Sequence, residues 1–175
     1  MIKVNSSEFN FQYGDQIHFP CRIASMMAYV RTNESIKNNF KFEKSFVFRT
    51  EVEEYIKECH DTDILLCSCY VWNWEITKYL ASEVKKNNPD CTIIFGGAQI
   101  PDLAQDFFKQ HPYVDIIAHG EGEYILENIL TAYLKDKDYS QVNGIETKEF
   151  RNQLQERINE LDNLPSPYLT NTVWD

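Results

Sequence analysis

The run Asp63-Ile64-Leu65-Leu66-Cys67-Ser68-Cys69-Tyr70 limits the fold more than any other stretch of this chain. An apolar run of this length suits a strand covered on both faces, as in the middle of a parallel sheet. Amphipathic helices flank it. Val52, Tyr55, Ile56 and Cys59 share a helical face before it, and Ile76, Leu80 and Val84 recur at i, i+4 and i+8 after it. The alternation extends along the chain. An early strand falls within residues 2–13, where either Ile2 and Val4 or Phe9, Phe11 and Tyr13 supply the pattern. A helix begins near Arg22, with Ile23, Met26, Met27 and Val30 on one side. Lys41 to Phe48 predicts a second strand, and Thr50-Glu51-Val52-Glu53 has the form of a capping box. Cys91 to Phe95 and Val114 to Ala118 read as the fourth and fifth strands. A helix is expected from Pro101 with Leu103, Phe107 and Phe108 inward, and another carrying Ile125, Leu126, Ile129, Leu130 and Leu134.

These β–α units predict an α/β fold: a flavodoxin-like (Rossmann-like), doubly wound, five-stranded parallel sheet of order 2-1-3-4-5. Residues 1–135 make this domain. Residues 136–175 read as a small C-terminal extension, a hairpin around Asn143-Gly144 and then a linker, Leu161-Asp162-Asn163-Leu164-Pro165-Ser166-Pro167-Tyr168-Leu169. Its two prolines block a helix there.

Of the 175 residues, 43% are hydrophobic and 14% aromatic, enough to fill the core of one such sheet. No stretch of about 18 apolar residues occurs, so no membrane span is expected. The start, Met1-Ile2-Lys3-Val4-Asn5, lacks the apolar run of a secretory signal, and a cytoplasmic protein is expected. The net charge is −10; residues 101–175 carry 6 Lys+Arg against 14 Asp+Glu. Phosphate backbones need clustered cations, so nucleic acid is not an expected partner. The five cysteines, Cys21, Cys59, Cys67, Cys69 and Cys91, are odd in number and contain no C-x-x-C pair. Cys67 and Cys69 share a strand face, which suits either two thiolates on a metal or, more simply, small buried thiols in a reducing compartment.

In this fold ligands bind beyond the C-terminal ends of the strands. Segments 14–20, 68–74, 96–101 and 119–123 are expected on that rim. A phospho-receiver needs a carboxylate at the third strand end, where this chain has Cys67-Ser68-Cys69-Tyr70. Gly120-Glu121-Gly122 is only part of a dinucleotide fingerprint and follows the last strand. His18, His60, His111 and His119 lack zinc-ligand spacing. What remains is positive evidence for a large ligand. Gly96-Gly97 and Gly120 with Gly122 remove side chains at two adjacent strand ends, where each glycine serves either a tight turn or a close approach to a ligand. Ser68-Cys69-Tyr70-Val71-Trp72-Asn73-Trp74 places two indoles in a rim loop, either facing a planar ligand or packing into the core.

Four segments carry a more specific resemblance. CTIIFGGAQIP (Cys91 to Pro101), VDIIAHGEGE (Val114 to Glu123), the stretch Asp63 to Trp74 and the tail LDNLPSPYL resemble, in order, the N-terminal cobalamin-binding domains of B12-dependent radical SAM enzymes. Anaerobic magnesium-protoporphyrin ester cyclases and related methyltransferases are similar in this respect. The resemblance spans roughly residues 10–170. It implies that Gly96 and Gly97 line a slot for the cobalamin nucleotide tail. It implies that Ser68, Tyr70, Trp72 and Asn73 contact the tail or the corrin, and that Gly120, Glu121 and Gly122 flank the dimethylbenzimidazole or ribose. Cobalamin would then serve as methyl carrier or electron relay. A non-catalytic sensor or protein-interaction module on the same fold is the alternative.

Two departures qualify the carry-over. The D-x-H-x-x-G pattern that supplies a cobalt-ligating histidine is replaced by Asp15-Gln16-Ile17-His18-Phe19-Pro20, so no histidine–cobalt bond is expected. The C-x-x-x-C-x-x-C motif for a [4Fe–4S] cluster is absent, so this chain alone is not expected to cleave S-adenosylmethionine or to turn over. The expectation is a radical SAM barrel in cis beyond Asp175, with S-adenosylmethionine and [4Fe–4S] confined to it. Within the slot, a side chain at Gly97 is expected to collide with the ligand, and one at Gly144 to be neutral.

Overall fold

A computed structural model describes residues 1–172; the last three residues of the expected C-terminal extension, 173–175, lie outside the described residues. The first strand, β1, is Ile2–Ser7, so Ile2 and Val4 supply its alternation and the Phe9–Tyr13 stretch does not extend it. That stretch instead forms a small antiparallel hairpin, β2 (Gln12–Tyr13) and β3 (Gln16–Ile17), turning at Gly14. Helix α1 (Cys21–Val30) follows and buries Ile23, Met27 and Val30.

A second helix, α2 (Glu34–Asn39), is absent from the sequence reading. Asn33 caps it, its side chain accepting from the amides of Ser35 and Ile36. The next strand, β4, is only Phe40–Phe42, although Phe46 adds an isolated bridge to Ser7. Between them the chain stays beside β1, with the Glu43 amide on the Val4 carbonyl at 2.9 Å and the Ser45 hydroxyl 2.9 Å from that of Ser6, but it does not continue the ladder. Thr50 makes no capping box. It lies in a single 3₁₀ turn ahead of α3 (Val52–Glu58), and Glu51 accepts from the Tyr55 hydroxyl at 2.6 Å instead.

The remaining units are β5 (Ile64–Ser68), α4 (Trp74–Asn87), β6 (Thr92–Gly96), α5 (Gln105–Gln110), β7 (Ile116–Ala118), α6 (Gly122–Tyr133) and β8 (Ile145–Thr147). Helix α5 starts at Gln105 rather than Pro101, and Leu103 is exposed. The cause is tertiary. The carboxylate of Glu146, on β8, accepts from the amide of Ala104 at 3.2 and 3.3 Å and holds residues 101–104 as a loop.

The main sheet has the order β4-β1-β5-β6-β7-β8. Its first five strands are parallel and in the expected 2-1-3-4-5 order; β8 adds a sixth, antiparallel to β7. The extension after residue 135 therefore begins as part of the sheet. The turn of its hairpin is Thr147–Phe150, closed by the amide of Phe150 on Thr147 Oγ1, not Asn143-Gly144. The chain then folds back: the amide of Ile158 donates to Glu121, and the Tyr168 ring packs on Phe19 at 5.4 Å.

Strand residues alternate between two cores. Leu65, Cys67, Ile93, Phe95 and Ile117 face α3, α4 and α5, whereas Ile64, Leu66, Ile94 and Ile116 face α1, α2 and α6. Burial pushes the Cys59 thiol up to about 11 and that of Cys67 up to about 12, and it raises Cys69 and Cys91 well above the ordinary thiol value too. Such thiols stay protonated and pack as small apolar groups. Among the described residues no helix is long and apolar enough to cross a membrane.

Candidate functional site

The chain leaves β1 toward β4 and then crosses to β5 on the other side, so the sheet reverses direction of winding between β1 and β5. Crevices open at such switch points, beyond the C-terminal strand ends. Here a cavity of about 270 Å3 lies between α1 and α6 over the ends of β5, β6 and β7. Its floor includes Leu66, Ser68, Ile94, Gly96 and Ala118, and its helical walls include Met26, Ile125 and Ile129.

The glycines differ in what they contribute. Gly97 has φ +115°, and a Cβ there would sit 2.5 Å from the carbonyl oxygen of Cys69. That position is glycine because the backbone demands it, independently of any ligand. Gly96 has ordinary backbone, and a Cβ would meet only Ala118, at 3.7 Å. A side chain there would grow into the cavity, so Gly96 keeps the slot open. A Cβ on Gly122 would strike the thioether of Met26, so this glycine lets α1 and α6 approach. Gly120 has φ +108° at the end of the β7–α6 turn. Gly144 is not the neutral position that the sequence suggested: with φ +78°, its Cβ would lie 2.6 Å from Ile125 Cδ1.

Asn73 organises the loop after β5. Its buried amide accepts from the Tyr70 amide at 2.8 Å and donates to the carbonyls of Ser68 and Phe9. Tyr70 and Trp72 emerge from this loop stacked, with ring centroids 4.7 Å apart and planes 14° from parallel. The Arg22 guanidinium lies 4.0 Å over the Tyr70 ring. Arg22 Nη1 also donates to Glu8 at 3.1 Å, and the second oxygen of that fully buried carboxylate accepts from the amide of Ile23. Arg49 donates to the Trp72 carbonyl and fixes the outer side of the loop.

Residues 35–130 match the B12 binding domain family. The chain belongs to that family. It is also 33% identical over 149 residues to the cobalamin-dependent radical SAM methyltransferase TokK of Streptomyces tokunonensis, a match covering 82% of this chain and 22% of that protein. The same figures hold for the 2-(S-pantetheinyl)-carbapenam-3-carboxylate methyltransferase of Streptantibioticus cattleyicolor. The anaerobic magnesium-protoporphyrin IX monomethyl ester cyclase of Rubrivivax gelatinosus is 33% identical over 89 residues, 47% of this chain and 16% of that enzyme. The chain thus spans about a fifth of the length of the first two relatives and is homologous to their cobalamin-dependent class.

The cavity suits a limb of cobalamin rather than the whole. At about 270 Å3 it falls just below the roughly 300–1,000 Å3 typical of sites that enclose a complete small ligand. Its walls are largely apolar, and Gly96 leaves space that a side chain would fill. Of the residues singled out from sequence, Ser68, Tyr70, Gly96, Gly97, Gly120 and Gly122 border it. Trp72 stands outside, against Tyr70; Asn73 is behind the loop; Glu121 faces the C-terminal tail. Trp74 belongs to the opposite core, with its ring 5.7 Å from Phe107 and 6.0 Å from Phe95. His18 is exposed on the small hairpin, its ring edge-on to Tyr13. Sequence reasoning missed Glu8 and Arg22. The available signal was Glu8 itself, a lone acid in the otherwise uncharged stretch from Val4 to Gly14.

Proposed function

We propose that this domain seats cobalamin with its nucleotide tail in the slot between α1 and α6 and its corrin across the strand ends. The observation that carries this reading is the slot, open over β5, β6 and β7 and kept free of side chains at Gly96. In this reading Ser68, Gly96, Gly97, Gly120 and Gly122 line the tail. Tyr70 and Trp72 offer aromatic surface to the corrin. Asn73 and Glu121 act from behind, by fixing the rim loop and the C-terminal tail. The cofactor would supply methyl-carrier or electron-relay chemistry; the residues here orient it and keep water from the tail.

The parent protein, in this account, carries a radical SAM barrel in cis that holds S-adenosylmethionine and a [4Fe–4S] cluster and works as a methyltransferase or cyclase. Residues 1–135 form the cobalamin domain, β8 seals its edge, and the Pro-rich 161–169 segment leads to the barrel. The free thiols fit a reducing cytoplasm, and the acidic chain has no nucleic-acid role. Titration of the full chain with hydroxocobalamin, followed by visible absorption, tests the reading. A saturable spectral change near one equivalent is expected. An unchanged spectrum would instead leave a sensor or interaction module.

A further inference from the structure

Arg22 is the one Lys or Arg that borders the slot, among the described residues. Its environment is that of a cation held ready rather than a surface charge. The guanidinium lies on the Tyr70 ring at 4.0 Å and is tethered through Nη1 to Glu8. Stacking and tether together remove most of the rotamer freedom that an exposed arginine would lose on binding. Nevertheless its side chain keeps 45% of its surface exposed, and Nε and Nη2 make no hydrogen bond among the described residues. Glu8 has no exposed surface, and both of its oxygens are engaged. An approaching anion therefore meets the guanidinium and not the Glu8 carboxylate; Glu123 is the acid that borders the slot, on the α6 side. A planar fork with free N–H groups matches the paired oxygens of a phosphodiester.

We infer that Arg22 binds the phosphodiester of the cobalamin nucleotide tail and thereby selects complete cobalamin over corrinoids that lack the tail. This rests on the cobalamin reading above. Arg22, at the start of α1, borders the slot and would hold the phosphodiester there, leaving the space between α1 and α6 for the base. Tyr70 then has two tasks: it supports the guanidinium and limits the mouth.

The test compares hydroxocobalamin with cobinamide, which has the corrin but neither phosphodiester nor base, on the full chain. Wild type should bind hydroxocobalamin at least about tenfold more tightly than cobinamide. Arg22→Gln should weaken hydroxocobalamin about tenfold or more, leave cobinamide within about twofold, and Arg22→Lys should recover part of the loss. Because Arg22→Gln strands the Glu8 carboxylate, the double variant Glu8→Gln/Arg22→Gln is measured alongside it, and it should show the same selective loss. Unchanged hydroxocobalamin affinity in either variant, or equal losses for both corrinoids, overturns the inference while wild-type binding keeps the cobalamin reading. A wild type that binds neither corrinoid overturns both.

Discussion

Gly97 and Cys69 approach so closely that no side chain fits between them: a Cβ on Gly97 would lie 2.5 Å from the Cys69 carbonyl oxygen and 3.1 Å from its nitrogen. The contact joins the ends of β5 and β6, where the Cys69 amide also donates to the Gly96 carbonyl at 2.7 Å. With φ at +115°, alanine is strained on two counts. Gly97→Ala should cost about 2 kcal/mol or more in denaturant unfolding. Gly96→Ala, with ordinary backbone and room for a methyl, should cost about 1 kcal/mol or less. Equal costs would mean that the two positions differ less than their geometry states.

Asn73 is the second pin of the rim. Asn73→Ala leaves two buried carbonyls and one amide without partners, and should cost about 2–3 kcal/mol. Asn73→Asp should be at least as damaging. It keeps the acceptor for the Tyr70 amide but turns an oxygen toward the carbonyls of Ser68 and Phe9. Thermal unfolding of the two variants checks the order.

His119 gives the domain a pH dependence with a definite sign. Burial holds its imidazole below the ordinary histidine value, and nearby Arg151 adds to the effect. Glu146, 3.5 Å away, pulls the other way but is already engaged by Ala104 and Gln105. His111 is lowered too, by burial and then by Lys78. As pH falls through the ordinary value of 6.5, the unfolded chain takes up protons that the folded chain resists. Stability should therefore be full above that value and decline below it. The denaturation midpoint should be lower at pH 5.5 than at pH 7.5, and His119→Gln should reduce the difference. A midpoint that rises on acidification would contradict the sign.

His18 sits exposed at the end of the β2–β3 hairpin, and in the proposed seating the slot would hold the dimethylbenzimidazole away from cobalt. The cob(II)alamin complex should therefore show no nitrogen superhyperfine splitting in electron paramagnetic resonance. Splitting that disappears in His18→Ala would assign a histidine–cobalt bond instead.

The sequence is legible where local pattern and burial agree. The run from Ile64 to Ser68 is fully buried and central, as an uncharged run of that length requires. Tertiary contacts decide what pattern leaves open. Helix α5 starts late because Glu146, 42 residues away, takes the Ala104 amide. Thr50 loses its capping role to a 3₁₀ turn. In the site, the glycines are visible in sequence, but their tasks are not. Gly97 answers to Cys69, Gly122 to Met26 and Gly144 to Ile125, whereas Gly96 and Gly120 have room for a Cβ and only Gly96 of that pair also has ordinary backbone. The Glu8–Arg22–Tyr70 chain spans three separate segments, and nothing in their spacing brings them together.

The slot itself is tested most directly by Gly96→Leu. Its Cβ has ordinary contacts, so the variant should fold, as circular dichroism would verify, while its branches occupy the cavity floor. Titrated with hydroxocobalamin beside the wild type, it should bind at least about tenfold more weakly, roughly 1.4 kcal/mol. A folded Gly96→Leu chain that binds hydroxocobalamin as tightly as the wild type would contradict the placement of the ligand between α1 and α6.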